Sequence, residues 1–314
     1  MKQSSRLAKR LFVLGVVILI ILNLYTFVVA YPETLASDSG INALGSIRAK
    51  DFSAYYVGAW RLWHDPSHIY TVGALGDGEP AVAPQPETYK YLPSFLLLTS
   101  PLLALNYQRA LLAFDVFQFL LLPLIALLIY RLMEKEGLAL TFVVMIFALL
   151  LPFPTLHWGL SPSYYWQWGE GQAKVLETFL LLLSLYFGMR GKSLLSGVVL
   201  AFGFFDPRFG LLAVPLFVMY NWKNLKVALP SFVVALILSN SMLLYPGMLG
   251  SFTNMVFASS LSTPLYYYSL IPFFTFVLLI FINMKKMIAT FDHYGAFKKY
   301  TRGWGVKNQT KPSN

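Results

Sequence analysis

No cysteine occurs among the 314 residues, so disulfide frameworks, thiolate metal sites and cysteine nucleophiles are excluded at the outset. Charge is scarce as well. Only 12% of the residues are Asp, Glu, Lys or Arg, where soluble domains carry about a quarter. With 57% apolar residues, the chain cannot be an ordinary soluble globule. Histidine is rare, four in all, and His157 and Glu170 match no ligand spacing of a metal site. No internal repeat is evident, which leaves an inverted-repeat transporter without support.

What is present is a series of apolar blocks long enough to cross a bilayer, which takes roughly 20 residues per helix. "MKQSSRLAKR" and the run that follows it at 11–31 read as a basic flank and a first span. A cleaved signal peptide ending at Ala30 is the competing reading, but this run exceeds the roughly 7–15 residues of a signal core. An uncleaved anchor is therefore expected. Further spans fall at 108–132, 138–156, 172–190, 193–206, 209–222, 226–245 and 266–284. The pieces 193–206 and 209–222 flank "DPR" and read as two short helices or the arms of a broken pair. "YLPSFLLLTSPLLAL", residues 91–105, is short and interrupted by Pro93 and Pro101, so it reads as interfacial or re-entrant.

The net charge of +10 suggests nucleic acid only until the basic residues are placed. With eight spans and the N-terminus inside, seventeen of the 24 lie in inner segments, as the positive-inside rule predicts. No nucleic-acid partner is expected. The basic tail 285–314 is placed along the inner leaflet, and the loop 31–90 and "HWGLSPSYYWQWGEGQ" fall outside. The chain thus reads as all-α and polytopic, with about eight transmembrane helices.

Within the outer loop, "IRAKDFSAYYVGAWRLWHDPSHIY" spaces Phe52, Tyr55, Tyr56, Ala59, Trp60 and Trp63 along one helical face. Tyr and Trp favour the headgroup level, so this helix is expected to lie flat on the outer surface. Asp51 at its start reads on residue physics as an N-cap. A carboxylate at the outer membrane surface, in a loop too long for a connector, is the second reading, one of chemistry. Lys174 and Glu177, three apart, share a helix face; a mutual ion pair and a cavity lining are both open. Asp115 poses the same question and is expected to pair with Arg109 or Lys174.

"DFSAYYVGAWRL", "IY" and "YLPSFLLLTSPLLAL" resemble the first luminal loop of glycosyltransferase family 87, polyprenyl-phosphate-mannose-dependent enzymes of the GT-C fold. Asp51-Phe52, Tyr55-Tyr56, Gly58-Ala59, Tyr91 and Pro93 carry the match. "GQAKVLETFLLLLSLYFGMRGKSLLSGVVLAFGFFDPRFGLL" is similar to the family's second stretch, and the likeness covers about 50–230. Two positions depart: Lys174 stands where the family tends to have Asn, and Asp206 where it tends to have Lys. The chain is also short for the family at its C-terminal end.

The resemblance implies a GT-C-like transmembrane domain over 1–284, with 31–107 as a first outer loop carrying juxtamembrane helices and 285–314 as a cytoplasmic tail. It implies that a hexose, mannose by expectation, passes from a polyprenyl phosphate to a glycolipid or glycan acceptor on the outer face of the plasma membrane, with both termini cytoplasmic. Asp51 would be the general base, and neither metal nor cofactor is implied, because a lipid-monophosphate leaving group needs no metal in this family. Tyr55, Tyr56, Tyr91 and Gln172 are the matched residues expected at the substrate. A leaving lipid phosphate needs cations in a water-poor site; Lys90, Arg109, Lys174 and Arg208 are the candidates, with His64, His68 and His157 as weaker ones. Membrane lipid is an expected partner, and a protein partner that completes the site is a further one. The alternatives are a catalytically inactive GT-C-like subunit and a flippase or transporter. The latter predicts polar residues through several span centres, whereas here they gather at outer ends.

Overall fold

The computed structural model describes residues 50–71, 78–80, 82, 88–132, 171–262 and 270–293, with Arg10, Val13, Leu14, Gly15, Val17 and Ile21. Most of the first expected span, the span expected at 138–156, the aromatic loop with His157 and the tail from 294 onward lie outside the described residues. Among the described residues the chain is helical and contains no strand. In chain order the α-helices are α1 (Lys50–His64), α2 (Pro93–Thr99), α3 (Tyr107–Leu132), α4 (Lys174–Met189), α5 (Ser193–Gly203), α6 (Pro207–Asn221), α7 (Leu225–Ser239), α8 (Met248–Ser262) and α9 (Leu270–His293).

α1 stops where its sequence says it must. Asp65 precedes Pro66 and has left the helical region, with φ −150° and ψ 70°, as a residue before proline is disfavoured from it. Arg61, buried, then fastens the chain beyond: its Nε donates to Glu79 and its Nη1 to the carbonyls of His68 (3.1 Å) and Thr71 (2.8 Å). Proline opens both α2 (Pro93) and α6 (Pro207), where the first turn has no use for its missing N–H.

The aromatic face of α1 does not lie on lipid as its pattern suggested. Phe52, Tyr55, Tyr56 and Ala59 are buried in the protein core, and only the end of the helix is open, with Trp63 62% exposed. Phe52 packs on Tyr107 and Phe114 of α3, and Tyr55 meets Phe95 of α2 edge-on at 4.8 Å. The Tyr56 hydroxyl donates to the Leu105 carbonyl at 2.6 Å. Burying a large aromatic contributes about 1.5–3 kcal/mol, and here the neighbouring helices supply that cover.

Among the described residues, two stretches are long and apolar enough to cross a membrane: Tyr107–Leu132 and Pro207–Ser239. The first agrees with the expected 108–132. The two short helices expected on either side of "DPR" are there as α5 and α6, and α6 continues through a 3-10 turn at Trp222–Asn224 into α7 to make the second stretch. Pro215 and Pro230 lie inside these helices without ending them. Shorter apolar helices lie at Pro93–Ala104, Ser193–Gly203 and Thr275–Met284. The expected 91–105 segment is accordingly one short helix plus a 3-10 turn, Ser100–Ala104.

α4 and α5 form a hairpin zipped by two serines: Ser184 Oγ donates to the Ser196 carbonyl and Ser196 Oγ to the Ser184 carbonyl, each at 2.8 Å. α5 then lies against α7 so closely that a Cβ at Gly197 would stand 2.4 Å from the Ala228 carbonyl oxygen. Small residues at helix crossings are how apolar helices gain close packing without a hydrophobic drive between them.

Candidate functional site

Asp51 lies in the first turn of α1, half-buried, with Lys50 already helical before it. It is therefore not the N-cap its position suggested. A carboxylate in the first turn is nonetheless favoured by the helix dipole. One turn on, Tyr55 is buried and its hydroxyl donates to that of Tyr91 at 3.4 Å, a long contact between rings 5.6 Å apart. Burial pushes both phenols above their ordinary value; Asp51 adds to the rise at each, while Lys174 draws Tyr91 back. Both hydroxyls thus stay neutral and keep their hydrogens beside the carboxylate.

Tyr91 is the hinge between two distant parts of the sequence. The Leu92 N–H donates to the Phe205 carbonyl at 2.9 Å. Tyr91 meets the Phe205 ring edge-on at 5.5 Å, and Phe95 stacks on it at 4.5 Å. On its other side Tyr91 faces the Lys174 ammonium at 5.0 Å from the ring centre, while Phe209 faces the same ammonium at 4.6 Å. Such a pair of π faces attracts a cation.

Lys174 is buried, and its charge is answered twice. Its Nζ donates to Asp206 at 2.7 Å and to Glu177 at 3.2 Å. Asp206 caps α6, accepting from the Arg208 N–H at 3.2 Å, and holds the Arg208 guanidinium by two 2.8 Å bonds, one from Nε and one from Nη2. Two basic and two acidic side chains thus meet in one buried cluster. The mutual Lys174–Glu177 pair is present, as the spacing of three allowed, but Asp206 is the nearer partner. Glu177 Oε1 is buried and accepts no hydrogen bond.

Gly171 brings this group against α1. Its φ is +67°, and a Cβ there would stand 2.6 Å from the Cβ of Phe52. Gly171→Ala is expected to destabilise the protein by about 1–3 kcal/mol, through the left-handed backbone and the overpacking together. Thermal unfolding in detergent measures it; an unchanged midpoint would remove Gly171 from the account. Gln172, next in the chain, is buried, and its carbonyl accepts from Gln118 of α3 at 2.9 Å. Gln118 had no part in the sequence reading, although an amide amid an apolar span was the available signal.

The remaining candidates separate. Lys90 is half-buried just before Tyr91. Tyr56 is committed to Leu105 on the α2 side. Arg109 is exposed at the start of α3, where its backbone N–H bonds Asn106. His64 stacks on Trp60 and His68 bonds Asp65, both on the surface. His157 lies outside the described residues. Asp115 is fully buried in α3 and pairs with neither Arg109 nor Lys174; both its oxygens are without a hydrogen-bond partner. The expected pairing fails because Arg109 points to the surface and Lys174 is taken up by Asp206 and Glu177. Among the described residues, no three of His, Asp and Glu gather so as to hold a metal ion.

The structure therefore brings Asp51, Tyr55, Tyr91, Lys174 and Arg208 into one region, with Gln172 at its edge, and adds Asp206 and Glu177 to it. Compared with known proteins, the chain matches no family model, no curated protein and no solved structure.

Proposed function

We propose that the chain is a multi-pass membrane glycosyltransferase of the GT-C kind, with about eight spans and cytoplasmic termini. It transfers a hexose, mannose by first expectation, from a polyprenyl phosphate to a glycolipid or glycan acceptor at the outer face of the plasma membrane. In this reaction Asp51 takes the proton of the acceptor hydroxyl. The oxygen forms its bond to the anomeric carbon as the bond to the lipid phosphate breaks, and the phosphate departs with the electron pair, inverting the sugar. Arg208 is the half-exposed cation of the region and the residue best placed to meet the leaving phosphate, since guanidinium binds it bidentately.

One observation carries this reading. The two stretches in which the resemblance resides, around Asp51 to Leu92 and around Gln172 to Arg208, are in direct contact through Leu92–Phe205 and Tyr91–Lys174. A second reading, a catalytically inactive subunit of the same kind, has its own support: Asp206 already engages both Lys174 and Arg208.

The test is direct. Purified protein, given radiolabelled polyprenyl-phosphate mannose and a membrane glycolipid extract, is expected to release polyprenyl phosphate and label a lipid or glycan product. If no polyprenyl-phosphate hexose is consumed, yet deletion of the chain alters the membrane glycans, the inactive-subunit reading replaces this one.

A further inference from the structure

Asp206 closes the turn before α6, and Pro207 behind it sets the first turn of that helix. Its side chain is 2% exposed, and its carboxylate accepts four hydrogen bonds. Oδ1 takes the Arg208 backbone N–H at 3.2 Å and the Arg208 Nε at 2.8 Å. Oδ2 takes Arg208 Nη2 at 2.8 Å and Lys174 Nζ at 2.7 Å. A carboxylate has about four acceptor sites, so this one is saturated within the protein.

Arg208 is engaged on one side only. A guanidinium carries its N–H donors in a planar fork. Asp206 holds the side formed by Nε and Nη2, while Nη1 makes no hydrogen bond among the described residues. The side formed by Nη1 and Nη2 is therefore open, and the Arg208 side chain is 27% exposed. Phe209 borders the guanidinium, its ring centre 5.8 Å from the central carbon. Two parallel bonds to one acceptor fix the plane of the fork as well as its place, which a lysine ammonium could not reproduce. Lys174 meets the Asp206 charge from the far side, so the fork keeps its attraction for an anion. A carboxylate that merely stood in for a ligand and left on binding would be exposed and loosely held. Asp206 is neither.

We propose that Asp206 is a positioning residue, which holds the Arg208 guanidinium so that its Nη1 and Nη2 side receives the phosphate monoester of the polyprenyl carrier. The proposal rests on the transferase reading, in which Arg208 meets that phosphate. It adds the reason the guanidinium can do so without first being ordered. Asp206 acts through Arg208 alone and touches neither the sugar nor the acceptor.

Binding of a short-chain polyprenyl phosphate, and of the matching polyprenol without the phosphate, is measured by retention on the full-length protein in detergent. Wild type is expected to hold the phosphate more tightly than the alcohol. Asp206→Asn keeps a good cap on α6 but offers Arg208 one acceptor oxygen in place of two. It is expected to weaken the phosphate about tenfold, the scale of one charged hydrogen bond, and to leave the alcohol unchanged. Asp206→Ser, which also caps, takes its place should Asp206→Asn fold poorly. Arg208→Gln is expected to weaken the phosphate at least as much, and the double variant no more than Arg208→Gln alone. Inorganic phosphate is expected to displace the lipid only in large excess; displacement at equal concentration makes free phosphate the ligand and overturns the assignment. Equal weakening of phosphate and alcohol reduces Asp206 to a support of the fold and overturns it as well. So does phosphate binding that is unchanged or tighter in Asp206→Asn, or a double variant whose losses add. If wild type holds phosphate and alcohol alike, the donor reading itself fails and the positioning role falls with it.

Discussion

Asp51→Asn is expected to lower the proposed sugar transfer by about 10²–10⁴-fold, the range a general base contributes, while the protein remains folded. Asparagine keeps the shape of the side chain and one acceptor oxygen but cannot accept the acceptor's proton at neutral pH. The loss of a first-turn charge costs the helix at most about 1 kcal/mol, and Asp51 is half-buried rather than sealed in the core. The two effects therefore separate: the unfolding midpoint stays near wild type while turnover collapses. Donor binding, followed by retention of the labelled polyprenyl-phosphate sugar, is expected to be little changed, because the base acts on the acceptor. A variant that transfers sugar at the wild-type rate would remove Asp51 from the mechanism.

Lys174→Met carries the largest expected effect on stability. It removes the ammonium that answers Glu177, whose side chain is fully buried and whose second oxygen already lacks a partner. Asp206 keeps Arg208, so the damage falls on Glu177. Breaking a buried pair from one side typically costs about 3–5 kcal/mol. Adding Glu177→Gln neutralises the stranded carboxylate and is expected to restore most of that loss, leaving a strongly non-additive cycle. Denaturation in detergent measures all four proteins. If Lys174→Met unfolds no more easily than wild type, the matched cluster does not support the fold. The folded double variant then reports separately on transfer, where a further loss would mean that Lys174 also serves the donor phosphate.

Much of the helix order was legible in the sequence, because apolar length and proline position act locally. The span beginning at Tyr107 and the short, proline-marked segment after Tyr91 follow from those signals alone. The i,i+3 spacing of Lys174 and Glu177 put them on one face, where the pair is one of two open readings and the one the structure contains. The face of α1 was misread because Tyr, Trp and Phe suit a membrane interface and a protein core equally, and periodicity says which side is apolar without saying what lies against it. Asp206 looked like a departure from a pattern; its bond to Lys174 spans 32 residues and a helix hairpin, which no local rule reaches. The pieces 209–222 and 226–245 answer to α6 and α7, which read on apolar length as separate spans parted at "NWKN". There a single 3-10 turn carries the chain across instead.

The clasp between Leu92 and Phe205 also sets a clock. Phe205 is synthesised about 110 residues after Phe95, so at roughly 5–20 residues per second the ribosome needs about 5–20 s to supply it. Until then the Leu92 N–H lacks its carbonyl acceptor, and Tyr91 and Phe95 lack the ring that covers them. The region around Asp51 is therefore assembled late, when the turn before α6 emerges, and a chain truncated before Phe205 carries Asp51 without its clasp.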